Sequence, residues 1–186
     1  MSETRVLVLV GSLRQASVNR QIAEAAATVS GDGVNVEIFG GLGDIPFYNE
    51  DLEAPAPATA QALRDAVEQA DAVLFVTPEY NGTIPAVLKN AIDWISRPYG
   101  AGAIKGKASA VISSSISPYG AKWAAADVVR SLGVAGASVL EESTLSLGPV
   151  GQLFGEQHPR EVADVRDQIG AVVDALVSAA GELLAA

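Results

Sequence analysis

The chain has 186 residues, with 12 Lys and Arg against 22 Asp and Glu, for a formal net charge of −10. It contains no cysteine, a single histidine (His158) and a single methionine (Met1). These counts exclude disulfide scaffolds, thiolate nucleophiles, Fe–S clusters and multi-histidine zinc sites, and the acidic balance argues against a general nucleic-acid binder.

The length predicts one domain over residues 1–186, enough chain to bury roughly 70% of its unfolded surface in a single core. Hydrophobic residues make up 49% but aromatics only 5%, so the core is built from Val, Leu, Ile and Ala. No apolar run approaches the roughly 20 residues of a membrane span. The early run Val6–Val10 is shorter than the ~7–15 apolar residues of a secretory leader. The expectation is a cytoplasmic protein with no membrane insertion.

The elements alternate. Val6-Leu7-Val8-Leu9-Val10 is continuously apolar and ends at Gly11, the pattern of a strand covered on both faces of a parallel sheet. Residues Val18–Val29 read as a helix that stops before Ser30-Gly31-Asp32-Gly33. Val34–Phe39 alternates apolar and polar residues, as a strand near an edge does. Gly40–Pro57 has no periodicity and carries three Gly and three Pro, a long loop of the kind that often serves function. Ala58–Gln69 is helical, and Asp71–Thr77 is a third strand stopped by Pro78. Pro85 opens a helix to about Ser96. A fourth strand lies in Lys107–Ser113, a helix in Tyr119–Leu132, a fifth strand in Ala137–Leu140 and a long helix in Glu161–Leu184. Five strands separated by helices, without hairpin signals, predict a parallel sheet with helices on both faces. Ligands of such sheets bind beyond the strands' carboxyl ends, at the switch point.

Three strand-end loops carry polar groups. The first, Gly11-Ser12-Leu13-Arg14-Gln15-Ala16-Ser17-Val18-Asn19-Arg20, is neither a dinucleotide fingerprint nor a P-loop. Its Ser12, Ser17 and Asn19 offer neutral donors, Arg14 a charged fork, and the following helix its N-terminal amides. Together they suit a phosphate monoester; an N-cap in a solvated loop is the plain alternative. The second loop, Thr77-Pro78-Glu79-Tyr80-Asn81-Gly82-Thr83-Ile84-Pro85, presents backbone groups that could read the polar edge of a planar heterocycle, or is an ordinary turn. The third, Ser113–Ala121, adds Ser and Gly.

The motifs G-S-L-R-x-x-S-x-N at Gly11–Asn19, P-F-Y-N-E-D-L-E at Pro46–Glu53, T-P-E-Y-N-G at Thr77–Gly82 and P-x-x-L-K-N-x-x-D-W at Pro85–Trp94 resemble the NADPH-dependent FMN reductase family. This flavodoxin-like group includes quinone, azo-dye and chromate reductases. The resemblance is dense over about residues 5–133. It implies an α/β three-layer sandwich with strand order 2-1-3-4-5 and a non-covalent FMN. It implies phosphate contacts from Ser12, Arg14, Ser17 and Asn19, ring contacts from Pro78, Glu79, Tyr80, Asn81 and Gly82, and, weakly, a contact from Ser115. The turn Ser115–Ala121 departs from the family's paired glycines, with one Gly and a bulky Tyr119.

Function follows as an expectation. NADPH or NADH would pass a hydride to FMN, and a small-molecule acceptor would then take the electrons in a ping-pong cycle. A quinone, flavin, azo compound, nitro compound or metal oxyanion would serve. No catalytic His or Cys is required. Glu79 is read either as a flavin contact or as a carboxylate capping the next helix. On the helix after Pro85, apolar residues span an arc of roughly 160°, wider than one core face needs. The surplus, with Trp94 as anchor, suggests a homodimer or homotetramer, and the resemblance implies the same. His158 reads as an exposed loop histidine, and Trp123 as helix packing. A flavodoxin-type electron carrier is the main alternative. A response regulator lacks its acidic pair here, and a serine hydrolase lacks a nucleophile elbow.

Overall fold

In the computed structural model, which describes residues 3–185, six parallel strands form one sheet. β1 is Thr4–Val10, β2 Val34–Ile38, β3 Ala72–Thr77, β4 Ala108–Ser114, β5 Ser138–Val139 and β6 Leu145–Leu147. The order is β2-β1-β3-β4-β5, and β6 also pairs with β4. The helices are α1 (Val18–Val29), α2 (Ala58–Gln69), α3 (Ala86–Ile95), α4 (Lys122–Val134), α5 (Val150–Leu153) and α6 (Ala163–Ala185). Short 3-10 turns at Leu42–Asp44 and Glu50–Leu52 lie in the long loop before α2.

The pleat sorts the core into two layers. Val6, Val8 and Val10 of β1 join Leu74 and Val76 of β3 against Ile22 and Ala26 of α1 and Ile169 and Val173 of α6. Leu7, Leu9, Val73 and Phe75 point the other way, onto Leu63 of α2, Leu88 of α3 and Val128 of α4. Every residue of β3 and β4 is buried, whereas β2 alternates. Burial on both faces is why the central strands read as continuous apolar runs.

The predicted fifth strand, Ala137–Leu140, is the two-residue β5, and a sixth strand, β6, follows it that the sequence did not predict. Ser138 and Val139 pair with Ala108 and Ser109, and Leu145–Leu147 pair with Ile112–Ser114. A 3-10 turn at Glu141–Ser143 lifts the chain off the ladder between them. Two- and three-residue strands are too short for a periodic signal.

Trp94 is not an interface anchor, for it is fully buried within the chain. Its indole Nε1 donates to Pro46 O at 2.8 Å. Tyr48 meets its ring edge-on at 5.2 Å, and the Arg64 guanidinium stands 5.2 Å from its centroid. On the same helix Asn90 accepts from Tyr48 N at 2.8 Å and donates to Pro46 O at 3.1 Å. The wide apolar arc of α3 therefore lies between the sheet and the chain's own segment 45–48. A long-range covering loop, not a second subunit, uses the surplus.

The C-terminal helix is long and apolar enough, by composition, to cross a bilayer. Here its stripe Val165, Ile169, Val172, Val173, Leu176 and Ala180 is buried in the α1 layer. His158 is also less exposed than expected. Its side chain is 17% accessible, and Nε2 lies 3.3 Å from Glu24 Oε2.

Candidate cofactor-binding site

The chain crosses from β2 to β3 around β1, so the loops after β1 and β3 leave the sheet side by side. Gly11 N donates to Val76 O at 2.8 Å. A Cβ at Gly11 would sit 3.2 Å from Thr77 Oγ1 and 3.3 Å from Pro78 Cδ. A glycine here permits the close approach of the two loops.

The first loop is a cradle of unspent donors. No backbone N–H from Ser12 to Asn19 has an acceptor among the described residues; the helix ladder begins with Arg20 N to Ser17 Oγ (3.4 Å) and Gln21 N to Ser17 O (3.1 Å). Ser17 and Asn19 are nonetheless buried, at 2% and 5% exposure. Open amides at a helix N-terminus have the chemistry to receive an anion. The exposed Arg14 guanidinium has no protein partner among the described residues. Asn19 Oδ1 accepts from Ser114 Oγ at 3.1 Å, which ties α1 to the end of β4. Ser12 is half-buried at the lip of a cleft of about 340 Å³ shared with Arg14, Arg20, Phe39 and Gly41. A hollow of about 530 Å³ between α2 and the start of β1, lined by Arg5, Asn35 and Asp65, lies at the opposite end of the sheet.

The second loop is a tight turn. Tyr80 and Thr83 exchange backbone hydrogen bonds of 3.2 Å, with Asn81 at φ 52 and Gly82 at φ 76. Two left-handed residues in this order make a type I′ turn, which Asn-Gly favours. The amides of Asn81 and Gly82 remain free of protein acceptors among the described residues. Tyr80 is exposed and Pro78 half-buried.

Glu79 has a structural task that the alternatives only half anticipated. Its Oε2 accepts from Trp123 N at 3.1 Å and Ala124 N at 3.2 Å. It caps α4, not the next helix α3. The residue at the start of α4, Ala121, has φ 63 and no side chain with which to cap. Thr83 Oγ1 adds a 2.6 Å hydrogen bond to Asp127 Oδ2.

The third loop folds on itself. Ser115 Oγ donates to Ser117 O (3.2 Å) and accepts from Ser117 N (3.1 Å), so its hydroxyl is engaged locally. Gly120 stands where a Cβ would meet Ser146 C at 2.8 Å, and a Cβ at Gly148 would meet Ser117 O at 2.2 Å. Gly148 was not singled out from the sequence, and Asn90 entered only within the Pro85–Trp94 motif, because their partners lie far away in the chain. Trp123 is 53% exposed and stacks on Tyr119; it packs on a neighbouring ring, outside the core.

Fold and loops define a flavodoxin-like protein whose polar strand-end loops meet at the switch point. The model for the family described as NADPH-dependent FMN reductase matches residues 4–152. The chain is 44% identical over 150 residues to a quinone reductase of Pseudomonas putida, covering 80% of each. It is 40% identical to the 2-hydroxy-1,4-benzoquinone reductase of a Burkholderia species over 62% of this chain and 63% of that one. Among solved structures, the flavoenzyme NAD(P)H:(acceptor) oxidoreductase FerB of Paracoccus denitrificans superposes with a TM-score of 0.83 and 34% identity, covering 96% of this chain and 98% of that one. The chain belongs to the NADPH-dependent FMN reductase family. It is an oxidoreductase whose family uses FMN as cofactor and NAD(P)H as co-substrate.

Proposed function

We propose that residues 1–186 form one FMN-binding domain that uses NAD(P)H to reduce a small-molecule acceptor, with quinones first among the candidates, in a ping-pong cycle. The observation that carries this reading is the run of unpaired backbone N–H groups from Ser12 to Asn19. Such a run suits the three acceptor oxygens of a phosphate monoester.

When bound, FMN supplies the hydride and electron chemistry. The chain supplies the rest. Ser12, Ser17, Asn19 and the loop amides would hold the phosphate, and Arg14 would neutralise it. Pro78 and the Tyr80–Thr83 pairing stiffen the second loop, which would present the amides of Asn81 and Gly82 to the ring. Glu79 acts through α4, by fixing that loop against the helix. Ser115 contributes through the shape of its turn.

The small-molecule acceptor accords with the quinone reductases among the relatives, and the proposed setting is the cytoplasm. A homodimer or homotetramer now rests on family resemblance alone, since Trp94 is internal; light scattering decides it. The absorption spectrum of the purified protein tests the main reading. A flavin spectrum, bleached by NADPH and restored by a quinone with steady turnover, supports it. A colourless protein that takes up no added FMN overturns it. A flavin that turns over only when a separate reductase is added makes the chain an electron carrier.

A further inference from the structure

Tyr119 and Trp123 form a stacked pair at the rim of the proposed site, with ring centroids 5.8 Å apart and planes 27° apart. Both rings stay more than half exposed, at 56% and 53%. The Lys122 ammonium stands 4.8 Å from the Tyr119 centroid and 6.0 Å from that of Trp123. It has no carboxylate partner among the described residues. Most of a chain with net charge −10 repels anions; here an uncommitted cation sits on flat π surface.

The group's position is set by hydrogen bonds already described. Glu79 holds the amides of Trp123 and Ala124, so the start of α4 abuts the second loop. Asp127 is one turn on from Trp123, on the same helix face, and reaches Thr83 Oγ1. That face is therefore turned to the Tyr80–Thr83 turn. Tyr80, in that turn, is 54% exposed. A stacked aromatic pair with an unpaired cation beside it offers a flat surface to a planar, negatively charged ring.

We infer that Tyr119, Trp123 and Lys122 form the acceptor-recognition platform, selecting planar aromatic acceptors that carry a negative charge, such as ionised hydroxyquinones. This rests on the flavin reading above. The rings supply offset stacking, and Lys122 supplies the charge that a neutral quinone does not need.

The test compares FMN-loaded wild type with Trp123→Ala, Tyr119→Ala, Trp123→Phe and Lys122→Gln. The acceptors are 1,4-naphthoquinone, its ionised 2-hydroxy derivative and ferricyanide as a non-planar control. The alanine variants are expected to lower kcat/KM for both naphthoquinones by about three- to tenfold, the range a lost aromatic pair implies. Ferricyanide should change less than twofold, and Trp123→Phe should restore the quinone values. Lys122→Gln should lower the hydroxynaphthoquinone value several-fold more than that of the parent. Fluorescence gives a readout independent of turnover. With Trp94 buried and Trp123 exposed, hydroxynaphthoquinone should quench the wild-type apoprotein saturably, and Trp123→Ala should abolish the saturable part. Equal losses for ferricyanide and naphthoquinone, or no loss, overturn the platform. So does a wild-type oligomer that Trp123→Ala dissociates, because a second copy would then cover the rings. A wild type that binds no FMN overturns instead the reading on which the platform rests.

Discussion

The Glu79 carboxylate accepts a 3.1 Å hydrogen bond from the backbone N–H of Trp123. It joins the loop after β3 to the helix after β4, beside the candidate site. A carboxylate at a helix N-terminus satisfies open amides and meets the positive end of the dipole. No residue at the start of α4 can do this, since the N-cap position is Ala121.

Glu79→Ala should therefore cost about 1–2 kcal/mol of folding stability, the range of a lost cap. It should also weaken FMN binding, because the second loop loses one of its two ties to α4. Urea unfolding and a flavin titration check the two effects. Glu79→Gln, which keeps an acceptor oxygen, should recover most of the stability. Wild-type stability in both variants would show that Thr83–Asp127 suffices.

Gly148 makes a sharper case. A Cβ there would lie 2.2 Å from Ser117 O and 2.7 Å from Gly120 Cα. Both neighbours are backbone, which cannot rotate away. Gly148→Ala should cost about 1–3 kcal/mol by overpacking and displace the Ser115–Ala121 turn. Gly151, inside α5 with nothing within 4 Å of its would-be Cβ, is the control. Gly151→Ala should be neutral or stabilising by up to about 1 kcal/mol. Melting curves of the two variants decide.

The contrast between these residues shows what the sequence could convey. Helices α1 and α2 have the limits predicted, because local periodicity and flanking breakers define them. The strand order was legible through resemblance, and the loops at the strand ends through their polar residues. What escaped acts at a distance. Glu79 meets its helix 44 residues later. Trp94 is covered by a segment 48 residues earlier, a partner that the apolar arc of its helix does not disclose. Strand β6 escaped because its three residues are too short to carry a period. No single-residue pattern encodes such pairings.

Tyr48 links the covering segment to pH. Burial pushes its phenol above the ordinary value, and the hydrogen bond it donates to Glu53 Oε1 (2.8 Å) adds to the rise. The nearby Arg97 guanidinium opposes both. The folded protein thus holds this proton to higher pH than the unfolded chain does. The stability linked to it is full below the unfolded pKa of about 10 and is lost as pH rises through the folded value. Tyr48→Phe should cost about 1 kcal/mol at neutral pH for the lost hydrogen bond. It should also flatten the decline in stability above pH ~10. Unfolding free energies across the alkaline range check both, and an unchanged alkaline slope would place the titration elsewhere.

The cradle itself is tested through Arg14. Not every arginine can serve as the control: Arg64 is 7% exposed and its Nε donates to Trp94 O at 3.1 Å. Replacing it would disturb the core under α3. Arg166, on α6 and paired with Asp167 at 3.0 Å, is the better control. Arg14 has no protein partner to lose, so Arg14→Ala should leave unfolding within about 0.5 kcal/mol of wild type. Its effect should fall on FMN, where a charge-assisted hydrogen bond contributes about 1.5–3 kcal/mol, or roughly ten- to a hundredfold in Kd. Riboflavin, which lacks the phosphate, provides the second arm. Its affinity should be the same in Arg14→Ala and wild type. If riboflavin and FMN weaken equally, Arg14 does not contact the phosphate, and the open amides of Ser12–Asn19 bind it without that cation.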